Sequence, residues 1–210
     1  APAPRGRLGQ APVCVIDKIA AGPLLKGDVS LDGGVAYNIE QAAHVLDKSI
    51  EEVRIVALDR DRHKQLFSEI HATGAQLDLM GDGDVSGAIW ATKPDGPYDL
   101  LLGIGAAPEG VISATAIRGL GGVFEGRLVF RSDEEEARAE TMVGDDLTRL
   151  WEAHDLCKSD DAIFAASGVC DGYLPGARID DKTTTTFSEL IDVSTSKVTR
   201  DETVRPRTVP

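Results

Sequence analysis

Three short turns hold the residues whose types and spacing are suited to chemistry. LDRDRH, at 58–63, offers Arg60 and Arg62. Guanidinium groups bind phosphate oxygens in bidentate geometry. GDGDV, at 81–85, offers Asp82 and Asp84 around Gly83, and such carboxylates can accept hydrogen bonds from sugar hydroxyls. GIGAAPEG, at 103–110, sets glycines and Pro108 around a single carboxylate, Glu109. Its oxygens suit Mg²⁺ or Mn²⁺, which prefer oxygen donors. Cations, carboxylates and a Gly-rich helix entry together fit a phosphorylated, hydroxyl-rich ligand with a divalent metal. Each turn also has a plainer reading. Arg60 and Arg62 can pair with Asp59 and Asp61, and DGD is an ordinary turn sequence. Glu109 gains about 0.3–1 kcal/mol from a helix dipole alone.

The flanking elements decide whether the three turns meet. EVRIVALD (52–59) reads as a buried strand, and RDRHKQLFSEIHATG as a helix stopped by Gly74. AQLDLMGDGD gives a second strand and turn, and SGAIWATKPDGP a short helix. YDLLLGIG gives a third strand. APEGVISATAIRGLGG is a helix opened by Pro108 and closed by glycines, and VFEGRLVF is a fourth strand. Upstream, DGGVAYNIEQAAHVLDKSIEEV reads as a helix and an acidic turn. This alternation over 52–130 predicts an α/β fold with at least partly parallel pairing. In such sheets ligands bind beyond the carboxyl ends of the strands, and all three turns leave strands at that edge. RSDEEEARAE reads as a solvated helix face or loop. Beyond it, 160–200 reads as a β-rich end, residues 1–11 as a flexible leader and 201–210 as a loose tail.

Composition narrows the class. The 210 residues fit one large domain or two small ones, and the apolar share of 42% supports a core. The net charge of −13 argues against a nucleic-acid partner and against an anionic membrane surface. No apolar run approaches the roughly 20 residues of a membrane span. Cys14, Cys157 and Cys170 form no CxxC pair and read as small buried residues, with free thiols pointing to the cytoplasm. His44, His63, His71 and His154 show no ligand spacing and read as surface or cap residues.

In order along the chain, DKIAAGP (17–23), LDRDRH, ATGAQLDLMGDGDVSGAI (72–89), DLLLGIGAAPEGVISATAIRGLGGVFEGRL (99–128), DLCKSDDAIFAASGVCDGYLPGARI (155–179) and TTTTFSEL (183–190) resemble the class II fructose-1,6-bisphosphatases. Some members of that family also act on sedoheptulose 1,7-bisphosphate. The resemblance spans nearly all of 12–200. It implies a layered, inositol-monophosphatase-like (lithium-sensitive phosphatase) α/β fold with a mixed sheet and flanking helices, partial relative to the full family fold. It also implies metal-dependent hydrolysis of the 1-phosphate of a sugar bisphosphate, in the carbohydrate metabolism that includes gluconeogenesis. Position by position, it makes Arg60, Asp61 and Arg62 substrate-binding, together with Asp82, Gly83, Asp84 and Ala106. It makes Glu109 a catalytic metal ligand for Mn²⁺ or Mg²⁺, with the neighbouring glycines leaving room for substrate.

Several residues depart from the family pattern. Asp61 stands where the family has proline, Val15 where it has tyrosine, Ala106 where it has glycine and Cys170 where it has threonine. TTTTFS lacks the family's histidine. The GEGEKD-like stretch and the DPxxGT signature, which supply most of the family's metal carboxylates, do not occur in this sequence. Three readings follow. The chain is the substrate-binding part of a bisphosphatase, a non-catalytic sugar-phosphate-binding or regulatory relative, or a subunit that completes its site with another polypeptide; a homo-oligomer, or a partner supplying the absent N-terminal portion, is expected. In every case the 210 residues alone are expected to turn over poorly.

Overall fold

A computed structural model describes residues 14–143 and 146–207; the expected leader at 1–11 lies outside them. Strand β1 (Val15–Ala21) leads through a 3-10 turn to helix α1 (Gly34–Leu46). Strand β2 (Arg54–Leu58), helix α2 (Lys64–Thr73), strand β3 (Gln76–Met80), helix α3 (Asp84–Thr92), strand β4 (Leu100–Ala106), helix α4 (Ala107–Leu120) and strand β5 (Val123–Val129) follow. These match the expected alternation. Gly74 and Gly121 end α2 and α4 in the left-handed conformation, where a residue without Cβ carries no steric penalty.

The sheet is six-stranded and mixed, in the order β3-β2-β4-β1-β5-β6, where β6 is the short strand Trp151–Glu152. Strands β2, β3 and β4 run parallel, while β1 is antiparallel to both β4 and β5. The carboxyl ends of β2, β3, β4 and β5 therefore share one edge with the start of β1. Alternate side chains point to opposite faces of a strand. Ile19, Ile55, Leu100, Leu102 and Val123 pack under α1 and α2, while Ala20, Val56, Leu101 and Phe124 pack under α3 and α4.

Helix α5 (Asp133–Val143) carries the acidic run. It is solvated except that Glu135 and Ala139 are buried. After the short helix α6 (Ala153–Leu156) comes a second, four-stranded sheet of β7 (Ile163–Ser167), β8 (Arg178–Ile179), β9 (Thr183–Asp192) and β10 (Val198–Pro206). Phe164 and Ile191 of this sheet pack against Ile89 and Ala116 of α3 and α4. The layers thus run helix pair, sheet, helix pair, sheet. No described helix is long and apolar enough to cross a membrane.

Two expectations need correction. Residues 201–206 are not a loose tail, because they pair antiparallel with β9 in continuous register, from Val198↔Ile191 to Pro206↔Thr183. The backbone ladder orders a segment whose side chains are polar, and Pro206 sits at its last pair, where a missing N–H costs least. Strand β1, the centre of the main sheet, has no counterpart in the elements read from sequence.

Candidate functional site

The three turns converge at the shared carboxyl edge. After β2 the ladder continues one residue, with Asp59 N–H donating to the Met80 carbonyl at 2.8 Å. A 3-10 turn over Asp61–His63 then enters α2. Arg60 does not use the carboxylates beside it. It reaches across to Asp82 Oδ1 at 2.5 Å and donates to the Asp59 backbone carbonyl at 2.8 Å. Arg62 donates through Nε and Nη2 to the Ile104 carbonyl, at 3.1 and 2.6 Å. Asp61 pairs with Lys64 at 2.8 Å, its side chain turned to solvent. Burial, then the Arg60 and Arg131 charges, lower the Arg62 pKa, with Asp84 acting in opposition. Three arginines, Arg60, Arg62 and Arg131, thus lie near one another at this edge.

At the second turn Gly83 has φ +91°, a conformation side chains rarely adopt. It places Asp84 at the first position of α3, where its carboxylate is buried and ion-paired to the ammonium of Lys18 on β1. Asp82, at the turn's tip, stays almost wholly exposed. A cleft of about 260 Å³ adjoins this turn, between Gly83 and Ser86 on one side and Phe164 and Gly168–Cys170 on the other.

The third turn ends β4 and opens α4, with Ala106 as N-cap, Pro108 in the first turn and Glu109 beside it. Burial raises the Glu109 pKa. So does the neighbouring Asp84 carboxylate, against the opposing Lys18 charge and the Ala106 backbone. Arg62 and Glu109 thus both lie within electrostatic reach of Asp84.

Three sequence expectations need correction here. The glycines do not leave their space to a ligand. A Cβ at Gly105 would collide with Asp84 Oδ2 and Lys18 Nζ, and one at Gly103 would sit 3.0 Å from His63 Cε1. The chain's own side chains fill both gaps and leave a void of only about 10 Å³. His63, read as a surface or cap residue, does stand at the N-cap position of α2, but its side chain makes no cap hydrogen bond and is 2% exposed. Cys14 and Cys157 are buried as expected, whereas Cys170 is exposed. Sequence reasoning also missed Lys18, the buried partner of Asp84, and Arg131, which follows β5 to the same edge and pairs with Glu135 at 2.5 Å. The signal for Lys18 was a lysine, next to Asp17, between the apolar pairs Val15–Ile16 and Ile19–Ala20.

The donor set does not by itself suit a divalent metal. Among the described residues, no group of three or more His, Cys, Asp or Glu gathers to hold one. Asp84 is committed to Lys18, which leaves Glu109 as a single carboxylate. The described residues thus do not form a complete metal centre.

A family model described as bacterial fructose-1,6-bisphosphatase, glpX-encoded, matches residues 1–205. A protein of Gloeobacter violaceus named D-fructose 1,6-bisphosphatase class 2/sedoheptulose 1,7-bisphosphatase is 39% identical over 189 residues, covering 83% of this chain and 54% of the relative. A Prochlorococcus marinus (strain MIT 9303) protein of the same name is 39% identical over 201 residues, covering 89% of this chain and 60% of the relative. The chain spans a little over half the length of these relatives. On these matches, the chain belongs to the glpX-type, class II fructose-1,6-bisphosphatase family.

Proposed function

We propose that this chain carries the substrate-binding part of a metal-dependent sugar-bisphosphate phosphatase, one that hydrolyses the 1-phosphate of fructose 1,6-bisphosphate or sedoheptulose 1,7-bisphosphate. The observation that carries this reading is the convergence of Arg62, Asp84 and Glu109 at one sheet edge. Arg62 keeps its Nη1 protons and one Nη2 proton for a phosphate after binding Ile104. Arg60 adds a second cation and is held in place by Asp82. Asp82 and Gly83 at the tip of their turn, and the Ala106 backbone at the end of β4, are the groups we assign to sugar hydroxyls. Asp84 orders the corner through Lys18. Asp61, turned to Lys64, has the weakest case for contact.

Glu109 is the carboxylate this chain offers to Mn²⁺ or Mg²⁺, whose charge would offset that of a transferring phosphoryl group. The remaining ligands would come from outside the described residues, in cis or from a partner. The four-layer stacking is consistent with an inositol-monophosphatase-like fold, and we extend that assignment to this chain.

Calorimetry with fructose 1,6-bisphosphate and a Mn²⁺-dependent phosphate-release assay test the reading together. Binding with negligible turnover by the pure chain is expected. Turnover should appear when the metal-binding portion of a class II homologue is supplied. Absence of binding would overturn the substrate assignment. Efficient turnover by the chain alone would overturn the single-carboxylate account. Binding that never gains turnover would favour a regulatory relative.

A further inference from the structure

His63 sits at the junction of two of the converging turns, and its hydrogen bonds define its chemistry. Nδ1 lies 2.7 Å from the Leu58 carbonyl, which has no proton to give, so Nδ1 carries the hydrogen. Nε2 lies 2.8 Å from the Ile104 amide, which donates, so Nε2 presents its lone pair. Only the neutral Nδ1–H tautomer satisfies both partners. The ring is 2% exposed and edge-on to Phe67 at 5.9 Å. It fills the slot left by Gly103, whose φ of +130° also calls for glycine. Ile104 is thus held twice by consecutive residues: its amide by His63 and its carbonyl by Arg62.

We propose that His63 is a positioning residue for the phosphate-binding edge. It clamps the 58–63 turn to β4, which fixes the Ile104 carbonyl that orients the Arg62 guanidinium. The inference rests on the substrate reading above and assigns His63 a part in it. The clamp joins the turn bearing both arginines to the strand leading into Glu109. Losing it should therefore loosen phosphate binding without opening the core.

The test compares the full chain with His63→Gln, His63→Asn and His63→Phe. Glutamine places an acceptor near the Ile104 amide. Asparagine retains a donor for Leu58 but falls short of Ile104. Phenylalanine retains the ring without either bond. Hydrogen exchange at the Ile104 amide reads the clamp directly, and calorimetry with fructose 1,6-bisphosphate reads its consequence. Exchange should speed up roughly tenfold or more in the Asn and Phe variants and return towards wild type in Gln. Affinity should fall roughly tenfold in Asn and be largely rescued in Gln, the scale of one lost hydrogen bond. Unchanged Ile104 exchange in Asn and Phe would overturn the clamp. Faster exchange with undiminished affinity would overturn its role in binding. If the wild type itself binds no sugar bisphosphate, the substrate reading and the role in binding fall together, while Ile104 exchange still decides the clamp.

Discussion

Lys18 on β1 and Asp84 at the start of α3 form an ion pair with both side chains buried, at 1% and 4% exposure. The pair passes through a gap that exists because residue 105 has no side chain. One partner comes from the central antiparallel strand and the other from the DGD turn. The pair therefore ties the DGD turn to the middle of the sheet.

Gly105→Ala should break that tie. The added methyl collides with both charged groups, at an expected cost of roughly 2–4 kcal/mol. Lys18→Met should be at least as harmful, because it strands the Asp84 charge in the interior. The double variant Lys18→Met, Asp84→Leu should recover much of the loss. Thermal melts of the three proteins check this. A single Lys18→Met variant as stable as wild type would show that the pair is not desolvated.

Glu109 should be a site where function costs stability. Burial and Asp84 hold its pKa above the ordinary carboxylate value, so the ionised form is disfavoured in the folded state. At neutral pH that cost is fully present. It fades as pH falls through the raised value towards that of the unfolded chain. Glu109→Gln should therefore leave the fold at least as stable at neutral pH, the gain kept small because the side chain is exposed and solvent screens its charge, and shrinking further in acid. The same variant should abolish any metal-dependent phosphate release. Denaturant unfolding at two pH values measures the first effect, and destabilisation at neutral pH would refute it.

Arg62→Ala should weaken fructose 1,6-bisphosphate binding by roughly 1.5–3 kcal/mol, the worth of a charge-assisted hydrogen bond. Arg62→Lys should recover only part of this, because an ammonium cannot hold the Ile104 carbonyl by two N–H groups while facing a phosphate. Equal calorimetric affinity for wild type and Arg62→Ala would remove Arg62 from the site.

The second sheet should show its own acid sensitivity. Glu189 is fully buried and accepts from Lys93 at 2.6 Å, from Arg200 at 2.8 Å and from the Tyr173 hydroxyl. Burial pushes its pKa up, but the hydrogen bonds from Lys93, Tyr173 and Arg200 outweigh it and hold the value below the usual range. Its stabilisation is present above the unfolded carboxylate pKa and is lost as pH falls through the lower folded value. Glu189→Gln should cost about 3–5 kcal/mol at neutral pH, since it leaves the Lys93 charge buried and unpaired. Melting curves for both proteins should approach each other in strong acid, and a constant gap at every pH would contradict this.

The sequence by itself determined the strand-turn-helix series from β2 to β5, because local hydrophobic period, Pro108 and the closing glycines all act within one element. It also determined that the three turns share an edge, since parallel strands joined by helices point their ends the same way. The long GIGAAPEG-to-LGG stretch carried the family likeness. Only the tertiary structure decided the rest. Strand β1 was illegible because Asp17 and Lys18 interrupt its apolar run, and Lys18 finds its partner 66 residues away. Strand β10 was illegible because its order comes from backbone pairing with β9, while its exposed side chains show no buried face. His63 read as a surface or cap residue, and only its place at the start of α2 was legible. Its burial depends on Gly103 and Ile104, brought beside it by β4, and no local pattern encodes a contact between residues 41 apart.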